Sequence, residues 1–432
     1  MESIWSKSIK APSFDSLGWD IKTDVLIIGG GMAGILCANE LRRAGIDYTL
    51  VESEKICGGV TKNTTAKITV GHGLIYGKML DRFGAERTRL YYSAHADAVK
   101  KYKEICKTID CDFSESSNYV YSLDGREKIE REVNALQRIG CKASFAEKTG
   151  LPFEVDGAVR IDGQAQFNPL KFAYALADGM NIFENTRVIA LTDDGAITER
   201  GRITANKIIV ATHFPFINKH GSYFLKMYQH RSYVIALRNA QSVDGMYIDE
   251  DKKGLSFRNY NDLLLLGGGS HRTGKQGGGW RELENFARRC YPDSKEVCRW
   301  ATQDCMTLDE CEYIGKYSSR TKELYVTTGF NKWGMTSSMV AAALLSDQLC
   351  GKENKYETVF SPSRSILRPQ LAVNAAESVL GLLTPTAPRC THLGCALRYN
   401  KAEHTWDCPC HGSRFTEEGD IIDNPATKDK RR

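Results

Sequence analysis

Residues 24–34 read Asp-Val-Leu-Ile-Ile-Gly-Gly-Gly-Met-Ala-Gly, and no other stretch constrains the fold so tightly. Val25 to Ile28 form an unbroken apolar run, the pattern of a parallel strand buried on both faces. Gly29-x-Gly31-x-x-Gly34 follows at once, and from Met32 and Ala33 onward Ala33, Ile35, Leu36, Ala38 and Leu41 keep helical spacing. Gly29 lets the chain turn tightly, Gly31 lets backbone approach a pyrophosphate, and Gly34 lets helix pack on strand. The helix N-terminus then offers free N–H groups and positive dipole to phosphates. A second strand, Tyr48 to Val51, ends at Glu52 and Ser53, where a carboxylate can bind ribose hydroxyls. Strand, glycine trio, helix, strand and terminal acid together specify a dinucleotide site.

The rest of the chain is large enough to build on that unit. At 432 residues it has room for about two or three domains. The net charge of +5 is small for this length, and no basic stripe interleaved with aromatics argues for nucleic acid. No apolar run reaches the length of a membrane span, and residues 1–19 lack the apolar core of a signal peptide. A cytoplasmic protein is therefore expected. Of fourteen cysteines, ten are scattered from Cys37 to Cys350 without metal-ligand spacing, as buried small hydrophobes in a reducing compartment would be. The last four are clustered.

Beyond Glu52, the loop Cys57 to Lys67 is rich in Gly, Thr and Asn. It places Gly59, Val60, Thr61, Thr65, Ala66 and Lys67 near the dinucleotide, with His72 in the glycine-flanked continuation. Helices are expected over Ala85–Thr108, Gly125–Gly140 and Leu170–Asp178, and strands over Ser117–Leu123, Val159–Phe167, Asn181–Val188 (ending with Arg187 and Val188) and Ile203–Ala211. Alternating strands between Met227 and Gly269 predict a second, largely antiparallel sheet. The Gly267–Gly269 and Gly277–Gly279 triplets lack the strand and helix of a second dinucleotide fingerprint, so a nicotinamide domain is not indicated. Leu324 to Ser338 reads as strand, glycine loop and helix start, with Thr336 or Ser337 as cap.

Asp24–Gly34 with Glu52, the Gly58-Gly59 loop, Ala211-Thr212, Trp300–Gly315 and Thr328–Ser338 resemble the FAD-dependent oxidoreductases of the D-amino-acid oxidase type, over roughly residues 20–350. The resemblance implies an α/β (α+β) architecture, an FAD-binding Rossmann-like domain with an inserted antiparallel-sheet substrate domain, and non-covalent FAD between them. It adds Gly329, Gly334, Met335 and Thr336 to the FAD-binding set, beside Ala211, Thr212, Arg187 and Val188. Glu312 stands where such proteins commonly carry proline. The expected division is a lead-in 1–22, a body 23–356, a linker and helix 357–384, and a short module 385–432. Within the body, the FAD-binding parts fall at about 23–80, 155–215 and 320–350, and the substrate parts at about 81–154 and 216–319.

In the tail, Cys390-x-His392 and Cys408-x-x-His411 supply two thiolates and two imidazoles, with fifteen residues separating His392 from Cys408. By ligand type alone, zinc and an iron–sulfur cluster both remain open. The full pattern, with Pro409, Gly412 and Ser413, resembles the Rieske [2Fe–2S] signature, in which two cysteines bind one iron and two histidines the other. That resemblance also implies a disulfide between Cys395 and Cys410. Phe415 occupies a position where many such clusters have a tyrosine, so a lower potential is expected here. So few residues precede Cys390 that the module should be shortened and should dock on the body.

A flavin and a one-electron cluster in one chain suit a two-electron oxidation split into single-electron steps. The expected reaction is oxidation of a small amine or amino acid by hydride transfer to FAD, with electrons leaving through the Rieske cluster to a protein or quinone acceptor. Oxidation of a C–OH substrate, such as a 2-hydroxy acid or glycerol phosphate, and electron transfer without a small substrate are the alternatives. Candidate catalytic residues are Lys67 and His72, which could lie over the flavin, and Arg258 as carboxylate anchor. His213 is expected to line the FAD loop.

Overall fold

The computed structural model of the protein describes residues 2–217, 220–385 and 387–430. Met1, Asn218, Lys219, Thr386, Arg431 and Arg432 fall in the expected lead-in, substrate part and C-terminal module, and lie outside the described residues.

The first strand, Ile21–Ile28, is buried from Val25 onward and runs parallel to Tyr48–Val51 on one side and Arg202–Val210 on the other, with Ile27 opposite Leu50 and Ile209. The sheet continues to Ile182–Phe183 at one edge, and through Leu324–Thr328 to Tyr313–Lys316 at the other. Between the first two strands runs the fingerprint helix, Met32–Arg43. It crosses the strand end so closely that a Cβ on Gly34 would collide with the Gly29 carbonyl oxygen, while Gly29 itself has φ +110° and would set a Cβ 2.6 Å from the Ala211 carbonyl oxygen. Both glycines are steric requirements.

The second sheet orders Lys295–Thr307, Met227–Arg238, Leu263–Arg272, Ser256–Tyr260, Met246–Asp249, Ser114–Ser122, Gly157–Gln166 and Lys67–Ile68. It is antiparallel except where Met246–Asp249 runs parallel to Ser114–Ser122. Gly157–Gln166 and Lys67–Ile68 fall within stretches expected to bind FAD, yet they pair in this second sheet, where Val120 stands opposite Val159.

Four local expectations need correction. The helix expected over Ala85–Thr108 ends at Ile105, and a further helical segment from Tyr76 precedes it across a kink at Gly84, whose φ of +78° is not helical. Asn181–Val188 is two strands, Ile182–Phe183 and Val188–Thr192. A helix, Gly279–Cys290, does follow the Gly277–Gly279 triplet, but it packs on the antiparallel sheet. The helix after Leu324–Thr328 spans Gly334–Leu349 and has no side-chain cap: Thr336 and Ser337 lie inside its first turn, their hydroxyls taken by His72 and Glu312.

The tail forms an outer helix, Pro369–Leu383, and a small sheet of Arg398–Asn400, Thr405–Asp407, Arg414–Phe415 and Ile421–Asp423. This module is docked on the body, as its shortness requires. Arg231 of the second sheet donates to both Glu403 oxygens, with Nε at 3.0 Å. Arg414 reaches Glu403 at 2.8 Å, Asp407 at 3.1 Å and Asp423 at 3.1 Å. Arg231, Arg414, Glu403 and Asp407 are all buried. Burial alone would raise the Glu403 carboxyl, but the two guanidinium groups hold it below the usual range. Asn424 adds Nδ2 bonds of 2.7 Å to the carbonyls of Thr212 and Phe214.

Glu403→Ala leaves Arg231 without its carboxylate in a buried site, a loss of about 3–5 kcal/mol. The variant is expected to melt earlier and to be cut by trypsin at Arg389, where the native protein resists; equal melting and proteolysis would show that the network does not hold the module.

Candidate functional site

A cavity of about 1230 Å³ opens where the parallel strands end. One wall is the glycine turn and the Glu52–Thr65 loop, a second is the face of the antiparallel sheet, and a third is the C-terminal module, through Glu403, Thr405, Arg414 and residues 421–428. Of the residues expected to bind FAD, Gly29, Gly31, Met32, Ala33, Glu52 and Ser53 line the near end. Gly59, Val60, Thr61, Thr65 and Lys67 line the loop, and Arg187, Val188, Ala211, Thr212, Gly334 and Met335 also face the space. Gly34, Ala66, Gly329 and Thr336 stand behind the lining.

The near end fits a dinucleotide. A Cβ on Gly31 would meet only the Thr61 hydroxyl, at 3.5 Å, so the backbone there is open to a phosphate. The Glu52 carboxylate is held by the Gly30 N–H at 2.7 Å and the Glu54 N–H at 3.0 Å, facing the cavity beside the turn. At the far end, the uncapped Gly334–Leu349 helix presents its first N–H groups, which suit negative charge on a ring system.

The three candidate catalytic residues separate. Lys67 lines the cavity and donates from Nζ to the Tyr247 carbonyl at 2.9 Å; burial, aided by Arg258, pushes its amine down to about 7. His72 also lines it, stacked on Trp333 with ring centroids 4.7 Å apart. Its Nε2 faces the Thr69 carbonyl at 2.9 Å, which can only accept, so Nε2 carries the hydrogen and Nδ1 accepts from the Tyr91 hydroxyl at 2.8 Å. Burial pushes this imidazole down to about 3, so it stays neutral and occupied. Arg258 does not line the cavity. It donates to the carbonyls of Thr65 (2.7 Å), Ala66 (2.9 Å) and Asn259 (3.2 Å), with its guanidinium over Trp5, and so ties the loop to the sheet. His213 faces the cavity, and burial pushes it down to about 4.

Two side chains absent from the sequence reading meet in the cavity instead. Asp304 lies on Lys295–Thr307, whose residues 300–304 and Met306 line the cavity. Lys332 lies in the loop before the uncapped helix, in the left-handed region at φ +75° directly after Asn331 at φ +51°. Asn331 locks that geometry: Oδ1 accepts from the Thr307 N–H at 2.8 Å, and Nδ2 donates to the Gly329 carbonyl at 2.7 Å. Consecutive non-glycine residues in this region mark a functional constraint. Burial pushes Asp304 up to about 6, against the pull of Lys332 and Arg231, and pushes Lys332 down, against the pull of Asp304. Nothing in the sequence singled out Asp304 or placed Lys332 with it at one cavity.

The tail loops gather their ligands. Cys390, Cys408 and His411 are buried, and the His392 and His411 rings lie edge to face, 4.9 Å apart. The Cys390 and Cys408 thiols are hydrogen-bonded, and the neighbouring thiols, Cys390 first, hold Cys408 well below its usual value. Donor atoms of Cys395, Cys408 and His411 lie within 4.8 Å of one another. His411 Nδ1 is buried without a hydrogen-bond partner, as a metal-facing nitrogen would be. The donor set Cys390, His392, Cys408 and His411 thus fits a two-cysteine, two-histidine cluster. Cys395 and Cys410, the pair that the resemblance implies as a disulfide, stand side by side as hydrogen-bond partners. Cys395 is shared with Cys408, and the Cys410 sulfur also turns to the Glu377 carbonyl at 3.6 Å.

Cluster loops and cavity meet through one side chain. Gln303 lines the cavity, and its Nε2 donates to the Gly412 carbonyl at 2.9 Å. Gln229, on the neighbouring strand, donates to the His411 carbonyl at 2.9 Å.

Residues 24–348 match the family of FAD dependent oxidoreductases (DAO), and residues 363–431 match the Rieske [2Fe-2S] domain. A Bacillus subtilis protein named as a Rieske 2Fe-2S iron-sulfur protein, YhfW, is 34% identical over 99% of this chain and 96% of its own length. The γ-glutamylputrescine oxidoreductase of Escherichia coli is 23% identical over 85% of this chain and 94% of its own. The crystal structure of glycine oxidase from Geobacillus kaustophilus superposes with a TM-score of 0.67 at 20% identity, covering 80% of this chain and 99% of that one. The chain belongs to the DAO-type FAD-dependent oxidoreductases and carries a C-terminal Rieske [2Fe–2S] domain.

Proposed function

We propose that this oxidoreductase oxidises a small amine or amino acid and passes the electrons singly through its Rieske cluster to an acceptor, a protein or a quinone. The observation that carries the reading is the shared cavity: the module bearing the cluster ligands forms one wall of the space that fits FAD, and Gln303 touches both. When bound, FAD accepts two electrons as hydride and the cluster relays them one at a time.

The chain's own residues supply the head-group chemistry. Among the described residues neither Asp304 nor Lys332 forms an ion pair, so two opposite charges face one cavity uncommitted. Asp304 takes the proton of a substrate ammonium, leaving the neutral amine that hydride loss requires; Lys332 holds a carboxylate or another anionic group. The substrate gives up a C–H hydride and an N–H proton, and water hydrolyses the imine to a carbonyl compound and ammonia or an amine. A carboxylate placed for an ammonium favours amine over C–OH oxidation. The γ-glutamylputrescine oxidoreductase and the glycine oxidase fold point the same way. The buried free thiols accord with a reducing, cytoplasmic setting.

The reading is tested by mixing holoprotein anaerobically with panels of amines, amino acids, 2-hydroxy acids and glycerol phosphate. An amine should bleach the flavin, and a Rieske-type paramagnetic signal should then grow in. Bleaching by C–OH substrates alone, or by neither class, overturns it.

Two further outcomes are expected. Asp304 must be ionised to take the proton, so kcat/KM for flavin reduction falls as pH drops through about 6. That limb should be missing in Asp304→Asn, and Lys332→Met should raise KM by roughly 10- to 100-fold for substrates bearing an anionic group. Phe415 is buried among the cluster cysteines, so Phe415→Tyr can add a hydroxyl donor to a ligand sulfur. One such bond is worth roughly 0.5–1.5 kcal/mol, so the cluster midpoint potential should rise by about 20–65 mV in a redox titration.

A further inference from the structure

The outer helix, Pro369–Leu383, is inverted relative to an ordinary surface helix. Its polar side chains face the protein. Asn374 is buried and accepts from Arg272 Nη1 at 3.0 Å, Glu377 pairs with Lys275 at 2.7 Å, and the Ser378 hydroxyl bonds the Asn374 carbonyl at 3.0 Å. Its apolar side chains face outward: Val373, Val379, Leu380, Leu382 and Leu383 are 49–73% exposed, and Leu367, just before the helix, is 78% exposed. A surface helix normally does the reverse, and a continuous exposed apolar face marks an interaction site.

The face is tied to the redox centre. Gly381 lies so close to the cluster loops that a Cβ there would come 2.8 Å from Cys410 Sγ, and its carbonyl accepts from the Ala396 N–H at 2.9 Å. Leu393, next to the ligand His392, is 42% exposed and extends the apolar surface onto the cluster loop. Charge at the helix ends has one sign. Arg368, half-buried with its guanidinium over the Phe83 ring, is the N-cap residue, and at the other end the exposed Arg389 donates to the carbonyls of Gly381, Leu382 and Thr384. The helix's one carboxylate, Glu377, is turned inward onto Lys275.

We propose that the outward face of Pro369–Leu383, with Leu367 and Leu393, seats on the surface of an anionic phospholipid bilayer. A single aliphatic helix face with a cation at each end suits the acyl and headgroup layers together. Among the described residues no helix is long and apolar enough to cross a membrane, so the attachment is peripheral. Seated this way, the cluster loop lies at headgroup level, where a lipid-soluble acceptor is within reach; that last step rests on the proposed electron path, whereas the seating itself does not.

The test is flotation of the full-length holoprotein with phosphatidylcholine vesicles, with and without phosphatidylglycerol. The native protein should float with the anionic vesicles, and more weakly with phosphatidylcholine alone. Leu380→Asp/Leu383→Asp should lose binding by roughly tenfold or more. It should retain its melting temperature, its flavin and cluster spectra and its amine-driven bleaching, which separates failure of seating from failure of the enzyme reading. Arg368→Gln should weaken binding to anionic vesicles only. Absence of flotation, or undiminished flotation of the double variant, overturns the proposal. So does light scattering that shows a native dimer dissociated by Leu380→Asp/Leu383→Asp, which would assign the face to a second copy.

Discussion

The buried bridge from Arg231 through Glu403 to Arg414 decides what kind of molecule this is. It is the buried charged part of a contact that Gln229, Gln303, Arg272 and Asn424 extend with bonds to backbone carbonyls, and across it body and four-strand module share a cavity wall. Buried ion pairs contribute little net stability, because desolvating the charges offsets much of the attraction. They do fix geometry, since a guanidinium and a carboxylate taken out of water have few satisfactory arrangements. Arg231 is anchored mid-strand in Met227–Arg238, and Arg414 also holds Asp407 and Asp423, so the network locks module strands against body strand. The proposed relay of electrons calls for that rigidity more than for stability.

Legibility in the sequence followed locality. The strand–glycine–helix unit and the two Cys-and-His loops were readable because each is a short segment whose chemistry depends on its own spacing. Gly34 is required by a carbonyl five residues away, and Cys408 by neighbours in its own loop or in one close by in sequence. What was misread depended on distant partners. Arg258 looked like a substrate anchor in an open strand, but its Nη1 donates to the Thr65 and Ala66 carbonyls, remote in sequence. Thr336 and Ser337 looked like caps until His72 and Glu312 claimed their hydroxyls. Asp304 and Lys332 belong to different elements, and only the fold makes them face each other across a cavity.

Beneath the far end of that cavity lies a polar cluster that explains why the helix Gly334–Leu349 can start without a cap. His72, His95 and Glu312 are buried together, their donor atoms within 4.8 Å of one another. Such a grouping could suit a metal ion, but both His72 nitrogens are already engaged, Nε2 by a carbonyl and Nδ1 by the Tyr91 hydroxyl. Burial raises Glu312 to about 7, opposed first by the Ser337 hydroxyl at 2.6 Å and more weakly by Arg364. Trp333, at the capping position, has no side-chain acceptor, and the hydroxyls of Thr336 and Ser337 are drawn down into the core. The helix end keeps its donors for the cavity, and Trp333, stacked on neutral His72, closes the floor beneath them.

The same withdrawal of polar groups recurs at the outer helix. Asn374 and Glu377 turn inward to hold the outer helix against Arg272 and Lys275, and the Glu377 carbonyl meets Cys410 of the cluster loop, which leaves aliphatic residues facing out. In each case a helix gives its polar side chains to the protein so that another part of it can face a chosen environment: free N–H groups toward the cavity, apolar side chains toward the exterior. Arg272 connects the two. It sits at the end of the strand Leu263–Arg272 in the substrate sheet, bonds the Pro409 carbonyl at 3.1 Å in the cluster loop, and reaches Asn374 on the outer helix. One guanidinium on the antiparallel sheet therefore bonds both the cluster loop and the outer helix, beside the bonds that Gln229 and Gln303 make to the same loop.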